Sequence, residues 1–89
     1  IILNINENHF PLSNIIVSTN NRMNSCHLTN IENVKLIDIY DINGRRVTSF
    51  KNNGNMELMF NTSSFEAGIF FIIVYSNQFK KKTFKIIID

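Results

Sequence analysis

The 89-residue sequence is poor in several residue types that define common protein classes. It contains one cysteine, Cys26, so no internal disulfide can form and no disulfide framework supports the fold. Its longest uninterrupted apolar stretch covers residues 69–75, far short of the roughly 20 residues that a membrane-spanning helix needs. We therefore expect neither a disulfide-rich scaffold nor a helical membrane span.

Charged residues are also sparse, at 18%, and nine lysines and arginines against seven aspartates and glutamates leave a net charge of +2. A charge this small does not by itself mark a nucleic-acid-binding or membrane-surface protein. Hydrophobic residues reach 44%, which is enough to bury one core in a chain of this length. Composition thus predicts a single folded domain without naming an activity.

The first dozen residues differ from the rest of the chain. The sequence opens on Ile1 with no basic segment, so no signal peptide is visible, and we expect a fragment of a longer protein with any export signal upstream. Residues 1–12 turn from apolar to polar and include Pro11, which a central strand does not tolerate. We predict that residues 1–12 form a linker or loosely held edge and that residues 13–89 form the domain.

The remaining residues are dominated by β-branched and aromatic side chains, and no apolar pattern of helical period persists. Short apolar runs are separated by Asn, Gly and Ser, which is typical of an all-β sandwich or barrel. We predict a seven-stranded antiparallel immunoglobulin-like β-sandwich. The predicted strands cover residues 14–19, 22–28, 32–42, 45–50, 56–61, 69–75 and 80–88.

Three local patterns predict finer structure. Asn43 and Gly44 predict a type I′ hairpin turn, because this pair readily supplies the two positive-φ residues that such a turn demands. Ser63 and Glu66 fit a capping box, which predicts one helical turn before Gly68. The unbroken apolar stretch 69–75 predicts a central strand that is covered on both faces.

The sequence contains few groups suited to catalysis or metal binding. His9, Cys26 and His27 are the candidate soft ligands, but Cys26 and His27 are neighbours on a predicted strand and point to opposite faces. We predict a buried thiol beside a surface histidine, with no metal and no other cofactor. Asp38 and Asp41 also fall on opposite faces, and no G-x-S-x-G signature surrounds a serine, so we expect no enzymatic activity.

A short basic run near the carboxyl end has two interpretations. Residues 80–82 are lysines flanked by Phe79 and Phe84, and such a strip can bind single-stranded nucleic acid through phosphate contacts and stacking. Lysines on an edge strand also prevent edge-to-edge aggregation. Given the small net charge, we favour an edge guard or a docking surface and expect no nucleic-acid partner.

Three segments carry a resemblance to a known family. Residues 39–47 read IYDINGRRV, close to the pattern iYDxxGRxv; residues 68–70 read GIF, where the family has GxY or GxF; residues 82–88 read KTFKIII, similar to a terminal KxxxKiii strand. With these blocks in the same order and at similar spacing, the chain from Val34 onward resembles the C-terminal sorting domain of type IX secretion cargo proteins.

The resemblance implies a non-catalytic secretion signal at the end of a larger cargo protein. It further implies transit through the periplasm, docking to the outer-membrane translocon and its shuttle protein, and arrival at the cell surface or outside the cell, often with removal by a sortase-like peptidase. On this basis we predict the docking residues Gly68, Phe70, Lys82, Lys85, Ile86, Ile87 and Ile88. The hairpin residues Tyr40, Asp41, Asn43, Gly44 and Arg45 are predicted to have a structural role.

Alternatives remain open at this point. Core packing competes with docking as the explanation for each apolar residue, so the lysines are the stronger candidates for partner contact. The chain could instead be an adhesive or carbohydrate-binding β-sandwich of a surface protein, an interpretation that the lack of tryptophan disfavours. A passive spacer is a third possibility, and it would tolerate residues added at its carboxyl end.

Overall fold

The computed structural model describes residues 12, 14–77 and 80–89. Its seven strands are β1 (Ile16–Asn20), β2 (Ser25–Thr29), β3 (Val34–Asp41), β4 (Arg46–Lys51), β5 (Glu57–Asn61), β6 (Gly68–Ser76) and β7 (Lys81–Ile88). The strands pair antiparallel in a three-stranded sheet of order β1-β2-β5 and a four-stranded sheet of order β4-β3-β6-β7. The predicted all-β, seven-stranded sandwich is confirmed.

The inward faces of both sheets bury one common hydrophobic core. Along β6 the buried residues Phe70, Ile72 and Val74 alternate with half-buried ones, as the pleat of a strand requires. The core consists of Leu12, Ile15, Cys26, Leu28, Ile31, Val34, Ile37, Ile39, Phe60, Phe70, Ile72, Val74, Ile86 and Ile88. Each fully buried aliphatic side chain contributes about 1.5–3 kcal/mol of transfer free energy, so packing between the sheets holds the sandwich together.

Phenylalanines close the side of the sandwich where β4 and β5 lie. Ring centroids are 5.3 Å apart between Phe50 and Phe60, 6.0 Å between Phe60 and Phe65, and 5.1 Å between Phe65 and Phe70. All three pairs are tilted, within the range of favourable aromatic contacts. The row joins both sheets and the connection between β5 and β6.

A buried asparagine supports the chain where it passes from one sheet to the other. Asn52 follows β4, and its Nδ2 donates to the carbonyl oxygens of Ile31 (2.8 Å), Val34 (3.0 Å) and Asn55 (3.1 Å). Its backbone N–H donates to the carbonyl of Lys35 at 2.9 Å. The side-chain amide therefore joins the crossing from β4 to β5, which contains Asn52 and Asn55, to the crossing from β2 to β3, which contains Ile31 and leads into Val34.

Hydrogen bonds between distant residues link β1 and β7 on the opposite side of the sandwich. Asn21, after β1, donates from Nδ2 to Oδ2 of Asp89 at 3.3 Å, and the backbone N–H of Asp89 donates to Oδ1 of Asn21 at 3.4 Å. The two residues are 68 positions apart in the sequence. These reciprocal bonds hold the end of β7 against the other sheet.

The hairpin between β3 and β4 contains a different turn from the predicted type I′. Gly44 has the expected positive φ, +84°, whereas among described non-glycine residues only Asn24 and Asn30 have positive φ, so Asn43 does not. The N–H of Gly44 donates to the carbonyl of Asp41 at 3.0 Å, and the N–H of Asp41 donates to the carbonyl of Arg45 at 2.9 Å. This pattern is that of a three-residue hairpin with a glycine at the left-handed position.

The predicted helical turn before Gly68 is wrong. Residues 62–67 form turns and bends, and no helix occurs among the described residues. The N–H of Phe65 donates to the carbonyl of Thr62, at 3.0 Å, and Oδ1 of Asn61 accepts from the N–H of Ser63 at 2.7 Å. Asn61 thus initiates a tight turn, which competes with helix formation. Gly68 itself has a φ of +144°.

Strand limits agree with the predictions within two residues, except at the start of β2. That strand begins at Ser25 and not at residue 22, because residues 21–24 form a turn after β1. The N–H of Met23 donates to both the carbonyl and Oδ1 of Asn20, and Asn24 has a φ of +52°. Asparagine tolerates this left-handed conformation better than most residues.

The predicted linker, residues 1–12, lies outside the described residues apart from Leu12, and so do His9 and Phe79. Leu12 is buried and packs in the core. The domain boundary at residue 13 stays a prediction.

Candidate docking surface

Pairing between β6 and β7 brings together the two segments predicted to dock. Gly68 lies opposite Ile88, Ile69 opposite Ile87, and Phe70 opposite Ile86. Since directly opposite residues of an antiparallel pair are close neighbours, the GIF and KTFKIII blocks form one continuous structural unit. The docking role of this unit stays a prediction, but its residues do meet.

Burial divides the seven predicted docking residues into two groups. Phe70, Ile86 and Ile88 belong to the core, so their side chains are not available to a partner while the sandwich is closed. Gly68, Lys85 and Ile87 are exposed, and Ile87 has 53% of its surface accessible. Exposure of an isoleucine to this extent leaves hydrophobic surface in water that contact with a partner would cover.

Lys82 lies on a different face from Lys85. Residues alternate along β7, so Lys82 and Phe84 share the inward-facing side with Ile86, whereas Lys81 and Lys85 point outward with Ile87. The ammonium Nζ of Lys82 lies 5.2 Å from the centroid of the Phe84 ring, a cation–π distance. Part of Lys82 is therefore engaged by its own strand.

The outward side of the four-stranded sheet carries an unusually apolar surface, which we call the outer apolar face. Its residues are the half-buried or exposed side chains of β3, β6 and β7 that point away from the core: Leu36, Tyr40, Ile69, Phe71, Ile73, Tyr75 and Ile87. β6 is central in its sheet, as predicted, but within the described chain its outward side is only partly covered. Among the described residues the strands form two layers and not three, so there the prediction that both sides of β6 are covered is wrong.

A carboxylate lies in the middle of the outer apolar face. Asp38 is only 4% exposed, lies opposite Ile73, and accepts a hydrogen bond from Oγ of Ser49 at 2.6 Å. The pKa of Tyr75 is raised above its ordinary value of 10.0. Burial is the largest cause, and the nearby Tyr40 and Asp38 add to it. The Tyr75 hydroxyl therefore stays neutral at physiological pH and remains a hydrogen-bond donor.

Cationic side chains flank the outer apolar face on both edges of the sheet. On β4, Lys51 lies opposite Leu36 and Arg46 opposite Tyr40. On β7, Lys81 lies opposite Tyr75 and Lys85 opposite Phe71. All four cations are exposed. The surface thus combines an apolar centre with positive borders, which suits a partner with carboxylates around an apolar patch.

The two edges of the four-stranded sheet are β4 and β7. In the described part of the chain β7 forms ladder hydrogen bonds with β6 alone, so alternate backbone N–H and C=O groups point away from the sheet. Such an edge can accept an added strand from another protein. The lysines of β7 disfavour unspecific pairing with other strands, and they leave the backbone N–H and C=O groups of this edge accessible to a specific partner.

The IYDINGRRV block spans the end of β3, the hairpin turn and the start of β4. Oδ1 of Asp41 accepts from the backbone N–H groups of Asn43 and Arg45, both at 2.9 Å, and Oδ2 accepts from Nε of Arg45 at 3.0 Å. The N–H of Arg45 is the largest cause of a lowered pKa at Asp41. Tyr40 of this block also contributes its ring to the outer apolar face.

Cys26 and His27 point to opposite faces, as predicted. Cys26 is fully buried, and this burial raises the pKa of its thiol to about 11, so the thiol is protonated and protected from solvent. His27 is half-exposed on the outward side of the three-stranded sheet. No group of three or more His, Cys, Asp and Glu residues converges on one point in the described chain.

Sequence reasoning missed two features of this region. The outer apolar face could have been found from residues 69–75, because a strand apolar at every position in a two-layer fold must expose one side. The buried Asp38 gave no signal, since its burial depends on how Ser49 and Ile73 are placed by neighbouring strands.

Comparisons with known proteins point to one family. A family model described as a secretion system C-terminal sorting domain matches residues 11–89, which include all seven strands. No curated protein matches the chain significantly. Among the residues that the structure describes, no helix is long and apolar enough to span a membrane.

Proposed function

Because the chain belongs to the family of secretion system C-terminal sorting domains, we propose that it docks a larger cargo protein onto the outer-membrane type IX translocon and its shuttle protein. The family supplies a sorting signal at the end of a secreted or surface protein and is not a family of catalysts. The observation that carries the proposal is the match over residues 11–89, within which the three blocks of the resemblance fall.

We infer that docking uses the exposed side of β7 together with the outer apolar face. The side chains available there are Lys85 and Ile87, next to Phe71 and Ile69 on β6. They offer apolar contact area beside a positive charge. Among the described strands β7 pairs with β6 alone, so its outer edge adds backbone groups that an incoming strand could pair with. Phe70, Ile86 and Ile88 support this surface from inside the core.

The route of the cargo follows from this role. We propose that the domain folds in the periplasm, which its lack of disulfides permits, and then engages the translocon for delivery to the cell surface or medium. A sortase-like peptidase would act after translocation. The predicted linker, residues 1–12, is our proposal for the region that this peptidase cleaves, because it precedes the first strand.

A reporter fusion tests the proposed function directly. Residues 1–89 are fused to the carboxyl end of a periplasm-directed fluorescent protein and expressed in a type IX-competent strain and in a strain without the translocon. We expect export to the medium or surface only in the first strain. A stable fusion retained in both strains would contradict the proposal and would favour an adhesive or spacer module, which glycan-binding assays would then examine.

Matched variants of the same fusion test the docking surface. Ile87→Glu should reduce export about tenfold or more, because it places a charge in a proposed contact. Ile16→Glu is its control, since Ile16 is similarly exposed (59%) but lies on the other sheet. Lys85→Ala should likewise trap cargo in the periplasm, whereas Lys80→Ala, an exposed lysine before β7, should not. Normal export of both β7 variants would refute the assigned surface while leaving the sorting role intact.

A further inference from the structure

The three methionines of the chain are all exposed, which is unusual for an apolar side chain. Met23 is 69% accessible, and Met56 and Met59 are each 63% accessible. Methionine normally fills gaps in cores, where burial stabilises it. Two of the three, Met23 and Met59, line one cleft of about 400 Å³ on the outward side of the three-stranded sheet, and Met56 does not.

His27 lies in the same cleft and is held in a defined orientation. It is the direct cross-strand neighbour of Met59, so their side chains start close together on one face. Its Nε2 lies 2.6 Å from Oε1 of Glu57. An ionised carboxylate can only accept a hydrogen bond, so Nε2 carries the proton and donates it. In the neutral ring this leaves the lone pair on Nδ1.

This combination is the donor set of a soft-metal site. Thioether sulfur binds soft ions such as Cu(I), and imidazole binds copper as well. A histidine that ligates a metal typically donates its other ring N–H to a carboxylate, as His27 does to Glu57. We propose that the cleft binds a soft monovalent cation, Cu(I) or Ag(I), through the sulfurs of Met23 and Met59 and Nδ1 of His27.

The surroundings favour a soft ion over a hard one. Ser18, Asn20 and Ser25 complete the cleft with neutral oxygens, and hard divalent cations prefer several carboxylates. Glu57 contributes one negative charge at the site, which offsets the charge of a monovalent cation. Both methionine side chains have three rotatable bonds, so their sulfurs can close on an ion from an open cleft.

Titration of the 89-residue chain with Ag(I), a stand-in for Cu(I) that needs no reductant, tests the site. Methionine methyl groups labelled with carbon-13 report each thioether separately by NMR. We expect saturable shifts of the Met23 and Met59 methyl signals and of the His27 ring signals, with the Met56 methyl signal unchanged. Equal responses of all three methionines would overturn the proposal, because they would show unspecific thioether binding.

Single substitutions distinguish binding of Ag(I) in the cleft from binding at Met56 or Cys26. Met23→Leu, Met59→Leu and His27→Gln should each lower the affinity for Ag(I) by at least about 10-fold, because each removes a direct ligand, and loss of a group that only supports a ligand already costs about 10- to 100-fold. Met56→Leu is the matched control and should bind like the unmodified chain, since Met56 is as exposed as Met59. Cys26→Ala should also retain binding. Loss of binding in that variant alone would assign the ion to the thiol and refute the cleft.

Discussion

The strands of the four-stranded sheet contain six to nine residues, whereas every strand of the three-stranded sheet contains five. The longer sheet holds all three blocks of the family resemblance and the outer apolar face. The shorter sheet holds none of these blocks, and its outward side carries Ser18, Ser25 and His27. Yet the shorter sheet buries Cys26, Leu28 and Phe60 against the longer one. The motifs of the family resemblance are thus confined to one sheet and the hairpin within it, whereas both sheets contribute to the core.

Replacing one buried aliphatic side chain by alanine in each sheet should change the free energy of unfolding more than the other variants do. The pair tests whether the two sheets share one core. Ile72→Ala in β6 and Leu28→Ala in β2 each remove a fully buried aliphatic group. Both should lower the free energy of unfolding by about 2–5 kcal/mol, because each leaves a cavity. Urea denaturation measures the change. A cost well below this range for Leu28→Ala alone would show that the shorter sheet is only loosely attached.

The chain crossing between the sheets should be the next most sensitive point. Asn52→Ala removes a donor from the carbonyls of Ile31, Val34 and Asn55, and of these the Ile31 carbonyl keeps the N–H of Val34 as a partner. Loss of the buried hydrogen bonds should cost about 1–3 kcal/mol. Asn53→Ala is the control, because Asn53 is exposed and adjacent. Chemical denaturation of both variants gives the comparison. Equal stability of the two would refute the structural role of the Asn52 amide.

The smallest effect concerns the hairpin of the longer sheet at acid pH. The pKa of Asp41 is lowered below its ordinary value of 3.8, chiefly by the N–H of Arg45. A carboxyl group with a lowered folded pKa stabilises the fold above its unfolded pKa and loses this contribution as the pH falls through the folded value. The melting temperature of Asp41→Asn should therefore be lower than that of the unmodified chain at pH 7.

The same difference should disappear in acid. As the pH falls below the ordinary value of 3.8 and then through the lowered pKa of folded Asp41, its carboxyl group becomes protonated, and the two proteins should converge in melting temperature. Calorimetric scans from neutral pH to pH 2 follow this convergence. A difference that stays constant over the whole range would show that the charge of Asp41 contributes nothing to the hairpin.

Period-two patterns and turn residues were sufficient to predict the strands, because alternation depends on each strand alone. The positive φ predicted for Gly44 is confirmed. The turn at Asn43 was misassigned because Asp41 accepts hydrogen bonds from two backbone N–H groups and thereby favours a longer hairpin. That competition is set by a side chain outside the two residues on which the prediction rested.

The candidate site was only partly predictable. The sequence analysis predicts that Gly68 and the KTFKIII block both take part in docking, and the strand register places Gly68 opposite Ile88 of that block. It did not distinguish the exposed Ile87 from the buried Ile86 and Ile88, because which side of a strand faces inward depends on where the partner sheet lies. The role of Asn52 had no sequence signal, since its three acceptors lie on residues 31, 34 and 55.

The hydrogen bonds between Asn21 and Asp89 have a consequence for the order of folding. They join residues 68 positions apart, and closing so long a loop requires most of the chain to be in place first. The β3–β4 hairpin needs only local contacts and can form early. During synthesis from the amino terminus, the core therefore stays open beside β6 until residues 81–89 are added. A chain truncated before residue 81 lacks β7, which pairs with β6 and supplies Ile86 and Ile88 to the core, so its sandwich cannot close on that side.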